Sequence, residues 1–129
     1  MALFAGKSNG NLLLLHGGAP SGEPEPGSIE SATQALVAIS SRCFPLLNQS
    51  DLCDVVVAAL KELEADPQFY AGLGGPLQSD GQVRVSAGLM DGRRQSFSGV
   101  INALEVMHPS IIAHWLQGQR SRVITQPGV

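Results

Sequence analysis

QVRVSAGLMDGRRQSFSGVINALEV, Gln82 to Val106, is the stretch on which the fold turns. Val83 and Val85 alternate with Gln82, Arg84 and Ser86, the period of a half-buried strand. Asp91-Gly92 is a turn dipeptide, and a second strand-like segment, SFSGVINALEV, follows it. The spacing predicts two adjacent antiparallel strands. Asp80-Gly81 supplies another turn just upstream. Downstream, HPSIIAHWLQG (108–118) predicts a short helix, with Pro109 in its first turn and Gly118 at its end. Trp115 is expected in the core. SRVIT (121–125) reads as a further short strand.

Towards the N-terminus the pattern is helical. Ser28 is the candidate N-cap of a first helix, with Ile29, Ala32, Ala35, Leu36 and Ile39 at helical spacing and Pro45 marking its end. Ser50 or Asp51 caps a second, whose apolar stripe is Leu52, Val55, Val56, Ala59, Leu60 and Leu63. Lys61, Glu62 and Glu64 are read as facing out, and Pro67 stops the helix. Before both lies NLLLLHGGAP (11–20), a continuous apolar run closed by Gly17 and Gly18, expected as a strand buried on both faces. Segments 1–10 and 20–27 are expected to be flexible or loop. The order is strand, helix, helix, glycine-rich loop, strand, strand, helix, strand. Paired helices beside hairpin strands give an α+β domain of sheet and helix layers, not a doubly wound parallel sheet.

With 43% hydrophobic, 15% charged and 5% aromatic residues among 129, the chain is globular, at one-domain size. A net charge of −3 supplies no basic field for a phosphate backbone, and few aromatics are available for base stacking. Nucleic acid is therefore not an expected partner. Cys43 and Cys53 fall in apolar helical patterns and are read as free thiols of a reducing compartment. MALFAGKSNG lacks the marks of a signal peptide, and Leu12–Leu15 is too short to span a membrane. A soluble, cytoplasmic protein with no membrane partner is expected.

Local readings of the candidate sites favour structure over chemistry. His16-Gly17-Gly18 could present backbone N–H groups to an oxyanion; a tight turn with a hydrogen-bonded histidine explains it better. The loop LEADPQFYAGLG (63–74) could turn carbonyls towards a hard cation; an extended helix C-cap is the simpler reading. Met90-Asp91-Gly92 places a carboxylate in a turn. His108 and His114 are too far apart for an i,i+4 metal pair. G-x-S-x-G, P-loop, Rossmann and C-x-x-C patterns are all absent from the sequence.

Taken together, HGGA (16–19), DVVVAALKELEADPQFYAGLGGPLQSDGQVRVSAGLMDG (54–92) and SGVINALEVMHPSIIAHWL (98–116) resemble, in order and spacing, the N-terminal or alpha subunit of a threonine Ntn-hydrolase family. It is the plant-type L-asparaginase and isoaspartyl peptidase family, which also includes taspase and glycosylasparaginase. The resemblance covers roughly Asn11 to Leu116. It implies the N-terminal half of an Ntn-hydrolase αββα sandwich, built from two subunits cut from one precursor by autoproteolysis. The partners it implies are a beta subunit from the same precursor and a second alpha–beta heterodimer. The nucleophile, the new N-terminal threonine of the beta subunit, would attack a small substrate, the side-chain amide of asparagine or the β-linkage of an isoaspartyl dipeptide. Thr33 and Thr125 follow no processing motif, so no catalytic residue is expected on this chain.

The resemblance also implies that the glycine loop wraps a structural sodium ion through the backbone carbonyls of Leu63, Glu64, Asp66, Phe69, Ala71 and Leu73, with no other cofactor. Gly17, Gly18 and Tyr70 would shape the pocket. Two residues depart from the family pattern: Tyr70 stands where F-N-A-G has asparagine, and Ser86 where D-A-S-x-M-D-G begins with a carboxylate. Two further readings follow, a non-catalytic relative acting in binding or assembly and a taspase-like threonine protease.

Overall fold

The computed structural model describes residues 3–8, 10–18 and 23–125, and for residues 3–8 the backbone alone. The chain divides into two compact units, Met1–Leu63 and Glu64–Val129.

In the first unit, β1 (Leu3–Ser8) pairs antiparallel with β2 (Asn11–His16), from Leu3 opposite His16 to Ser8 opposite Asn11. Gly10 takes φ +83° in the connection, a value that suits glycine. This strand lies within the segment 1–10 expected as flexible or loop: LFAGKS has no alternation to announce it, and only the Asn9-Gly10 dipeptide signals a hairpin. Residues 23–27 carry neither helix nor strand, while 20–22 lie outside the described residues. The helix α1 (Ser28–Cys43) contacts the hairpin and buries Leu36, Ile39, Ser40 and Cys43, a stripe at i, i+3, i+4 and i+7. Its N-cap is Gly27 at φ +81°, not Ser28, whose hydroxyl instead donates to the Glu25 carbonyl.

The run Leu12–Leu15 was expected to be buried on both faces, and it is not. Leu13 and Leu15 are buried while Leu12 and Leu14 are exposed. A strand alternates its side chains, so a two-stranded hairpin covered on one side leaves every second residue outside. Pro45 sits in a short 3-10 segment (Phe44–Asn48) that buries Leu47. The helix α2 (Leu52–Ala65) follows. The Asp51 carboxylate accepts the Cys53 N–H at 2.9 Å, which satisfies a free donor of the first turn. Val55, Val57, Ala59 and Leu63 are buried along it.

In the second unit, β3 (Arg84–Asp91), β4 (Ser96–Leu104) and β5 (Val123–Thr125) form one sheet in that order. β3 and β4 are antiparallel, as their alternation predicts. β5 is parallel to β4, and the helix α3 (Pro109–Leu116) makes the crossover. The register slips between Val85 and Ala87; there the Ser86 hydroxyl accepts the Asn102 N–H at 3.0 Å. α3 lies on one face, where Val85, Val100 and Ala103 are buried and Val83, Ala87, Val106 and Ile112 pack against them. Gln117 fastens its C-terminal end. Its amide donates to the Leu89 carbonyl at 3.0 Å and its oxygen accepts the Ser96 hydroxyl at 2.6 Å.

Trp115 was expected in the core and is 62% exposed. α3 has only two turns, and its inner face is filled by Pro109, Ser110, Ala113 and Leu116. Trp115 and Ile111, four residues apart, share the outer face. Both cysteines are free, as read from the sequence; Cys43 is buried and Cys53 partly so. Burial raises the Cys43 thiol above its ordinary value, which keeps it protonated and unreactive.

Candidate functional site

The glycine-rich loop begins where α2 ends, and its first residue is its anchor. Glu64, expected to face out, is only 3% exposed. Its carboxylate accepts the Ser110 N–H at 3.0 Å and the Ser110 hydroxyl at 2.8 Å. His108 Nδ1 lies 3.2 Å from the same group. Ser110 is the second residue of α3, so a buried carboxylate satisfies a free N–H at the positive end of that helix. The Glu64 backbone carbonyl also accepts the Leu73 N–H at 2.8 Å. One residue thus holds both ends of the loop and the start of α3.

The loop is wound tightly. The Asp66 carbonyl accepts the Phe69 N–H at 3.1 Å, and the Asp66 carboxylate accepts the Gln68 N–H at 2.9 Å. Phe69 is buried. Close approach explains the glycines. A Cβ on Gly72 would lie 2.4 Å from the Glu64 carbonyl oxygen and 2.5 Å from that of Met107. On Gly74 it would lie 2.3 Å from the Phe69 oxygen and 2.5 Å from the Pro67 oxygen. No other residue fits at either position without moving backbone.

Tyr70 is 71% exposed. Of the six carbonyl residues singled out by sequence, Glu64, Asp66, Phe69, Ala71 and Leu73 lie in the second unit, and Leu63 closes the first. Among the described residues there is no cluster of three or more His, Cys, Asp or Glu fit for a metal.

The other candidates resolve into turns. The Gly18 N–H donates to His16 Nδ1 at 3.1 Å, with Gly18 at φ +87°, so His16 closes a tight turn while its ring stays exposed. Asp91 accepts the N–H groups of Arg93 and Arg94 at 2.9 and 3.0 Å, as an Asp-Gly turn requires. At the near end of β3, the Asp80 carboxylate takes the Arg84 guanidinium at 2.7 Å and the Gln82 N–H at 3.1 Å. Those bonds hold its carboxyl below the usual carboxylate range. Among the described residues no helix is long and apolar enough to cross a membrane.

Sequence reading missed the Glu64 cluster. Its one trace is that Glu64 follows Leu63 on the edge of the apolar stripe, where a carboxylate can still turn inward.

Comparison with known proteins places the chain. The model of the family described as asparaginase matches residues 9–129. An isoaspartyl peptidase/L-asparaginase of Synechocystis sp. is 44% identical over 117 residues, covering 90% of this chain and 35% of that protein. One from Nostoc sp. is 42% identical, covering 90% and 37%. A plant-type L-asparaginase of Pyrococcus horikoshii is 29% identical, covering 87% and 36%. The chain thus spans about a third of the length of the curated relatives it matches. On this family match, and with an α+β fold, the chain belongs to the asparaginase family that includes the isoaspartyl peptidase/L-asparaginases.

Proposed function

We propose that this chain is the alpha-subunit portion of an amidohydrolase acting on L-asparagine or β-aspartyl dipeptides, completed by a beta subunit from the same precursor. The observation that carries the reading is similarity over 90% of the chain to proteins named isoaspartyl peptidase/L-asparaginase. Their greater length supports a second portion. The two-layer second unit, with helix on one face of its sheet, supports an αββα sandwich. In this reading two such heterodimers associate.

The chemistry belongs to the second portion. Its N-terminal threonine hydroxyl attacks the substrate's side-chain carbonyl while the free amine takes the hydroxyl proton. The tetrahedral adduct expels ammonia, or the amine of the neighbouring residue in a dipeptide, and leaves an ester. Water then cleaves the ester to aspartate. This chain supplies the frame: the tied turn at Gly17 and Gly18, and Tyr70 on its loop.

We also propose a structural sodium ion on the loop, through the carbonyls of Glu64, Asp66, Phe69, Ala71 and Leu73. Neutral backbone oxygens suit a hard cation, and two of the five, those of Glu64 and Phe69, lie in the tightly wound part of the loop against Gly72 and Gly74. The ion would supply loop rigidity and no bond-making step.

Ser86 and Tyr70 favour the rival reading of a non-catalytic relative. Ser86 is engaged with the Asn102 N–H in the sheet. Co-expression with the reading frame that follows tests these readings, measured by intact mass, ammonia from asparagine and aspartate from an isoaspartyl dipeptide. A cut precursor with activity is expected. An uncut, inactive protein restored by Tyr70→Asn would assign the departure to that residue. A cut protein acting on neither substrate would favour a taspase-like protease.

A further inference from the structure

The charges of the second unit are unevenly placed. It contains five arginines and no lysine. Arg84 opens β3 and is bonded to Asp80. The topology brings the other four to the opposite end of the sheet. Arg93 and Arg94 occupy the turn that joins β3 to β4. β5 runs parallel to β4 with Val123 opposite Gly99, and the Gly99 N–H donates to the Arg122 carbonyl at 2.8 Å. Arg122 therefore enters the sheet beside the start of β4. Arg120 lies between it and Gln117, whose side chain is bonded to Ser96, the first residue of β4.

All four residues are exposed. Their backbones are held: the Asp91 carboxylate accepts the N–H groups of Arg93 and Arg94, and Arg122 is bonded into the sheet. Asp91 is also the one described carboxylate of the second unit at this end. Asp80 precedes β3, Glu105 follows β4, and Glu64 and Asp66 belong to the loop tied to the start of α3. Asp91 reaches only Arg94, at 3.5 Å. Among the described residues Arg93, Arg120 and Arg122 make no ion pair. Like charges gathered in this way repel one another, and an incoming anion relieves the repulsion.

We propose that this end of the sheet docks an acidic segment of a separate protein, a short run of Asp or Glu side chains taken by the four arginines. Charge complementarity names the occupant. Three neighbouring strands span about 10 Å, the reach of about three extended residues. Arginine presents a planar fork that grips a carboxylate through two parallel bonds, which lysine cannot do. Backbones pinned on two short turns fix those forks in place, which serves a shaped partner; a lipid surface asks only for charge. A nucleic acid asks for a longer basic track than four residues at one sheet end. The docking goes beyond the amidohydrolase reading and does not depend on it.

The test uses the co-expressed assembly and a fluorescein-labelled hexaglutamate peptide, followed by fluorescence anisotropy. The peptide is expected to bind at about 50 mM salt and at least about tenfold more weakly at about 300 mM. Arg120→Gln combined with Arg122→Gln is expected to weaken binding about tenfold or more, and so is Arg93→Gln combined with Arg94→Gln. Arg42→Gln, an exposed change in the first unit, is expected to bind like the parent. All five side chains are exposed, so circular dichroism should be unchanged in every variant. A hexaglutamate peptide that does not bind overturns the proposal. So does equal binding by the parent and both paired variants, or equal binding of a hexaglutamine peptide. Phosphatidylserine vesicles held through the same arginines, with hexaglutamate unbound, assign the end to a membrane and also overturn it. Peptide binding through these arginines by a protein that hydrolyses neither substrate upholds the docking and removes only the catalytic reading.

Discussion

Glu64→Ala is the substitution with the most to say about the loop. The carboxylate is nearly sealed from solvent and accepts two donors from Ser110, with His108 Nδ1 as a third contact. Hydrogen bonds to a charged group contribute about 1.5–3 kcal/mol each, and they are not additive when they share a residue. Alanine leaves the Ser110 N–H and hydroxyl unpaired in a buried place and removes the anion from a helix N-terminus. Losing such a cap alone costs about 0.5–2 kcal/mol. The two Ser110 bonds and the cap are lost together, and the expected destabilisation is about 2–4 kcal/mol. Glu64→Gln keeps the shape and one acceptor, and the expected loss is about 1–2 kcal/mol. Urea unfolding followed by circular dichroism gives the global values. Amide exchange at Ser110 gives the local one, and it should speed up in both variants. A Glu64→Ala protein within 1 kcal/mol of the parent, with Ser110 exchange unchanged, would refute the reasoning.

Two further outcomes are expected. Gly72→Ala should destabilise the loop by about 1–3 kcal/mol or more, because both crowding atoms are backbone oxygens that cannot turn aside; urea unfolding beside an exposed control, Gly92→Ala, measures it. The Asp80 carboxyl should titrate below an unstructured aspartate, since Arg84 and the Gln82 N–H bond its charged form. Its contribution to stability is therefore present above the unfolded value and fades as pH falls through the lowered folded value. A carbon chemical-shift titration of Asp80 reads the midpoint, and Arg84→Met should move it back up.

The elements that repeat were legible. Alternation around Val83 and Val85 with Asp-Gly turns on either side predicted β3 and β4, and Pro109 with Gly118 bracketed α3, because these signals are local. Trp115 and Glu64 were misplaced for a shared reason. Size and polarity are good guides to burial only when the surroundings are ordinary. A two-turn helix lined with small residues has no room inside for an indole. A carboxylate can be buried when donors arrive from 46 residues further along the chain. In the loop, sequence showed that glycine mattered. It could not show that the crowding comes from Glu64, Pro67, Phe69 and Met107.

The contrast between Gly72 and Tyr70 bears on how such a loop can change over generations. Every missense change at a Gly72 codon adds a side chain and meets two carbonyl oxygens, so drift at that position is closed. Two residues earlier the Tyr70 side chain is 71% exposed, and the packing of this chain puts no such limit on it. A rigid loop with one permissive outward position separates the inheritance of shape from the inheritance of surface chemistry. Lineages can try new residues at the tip without relearning how to fold the stem.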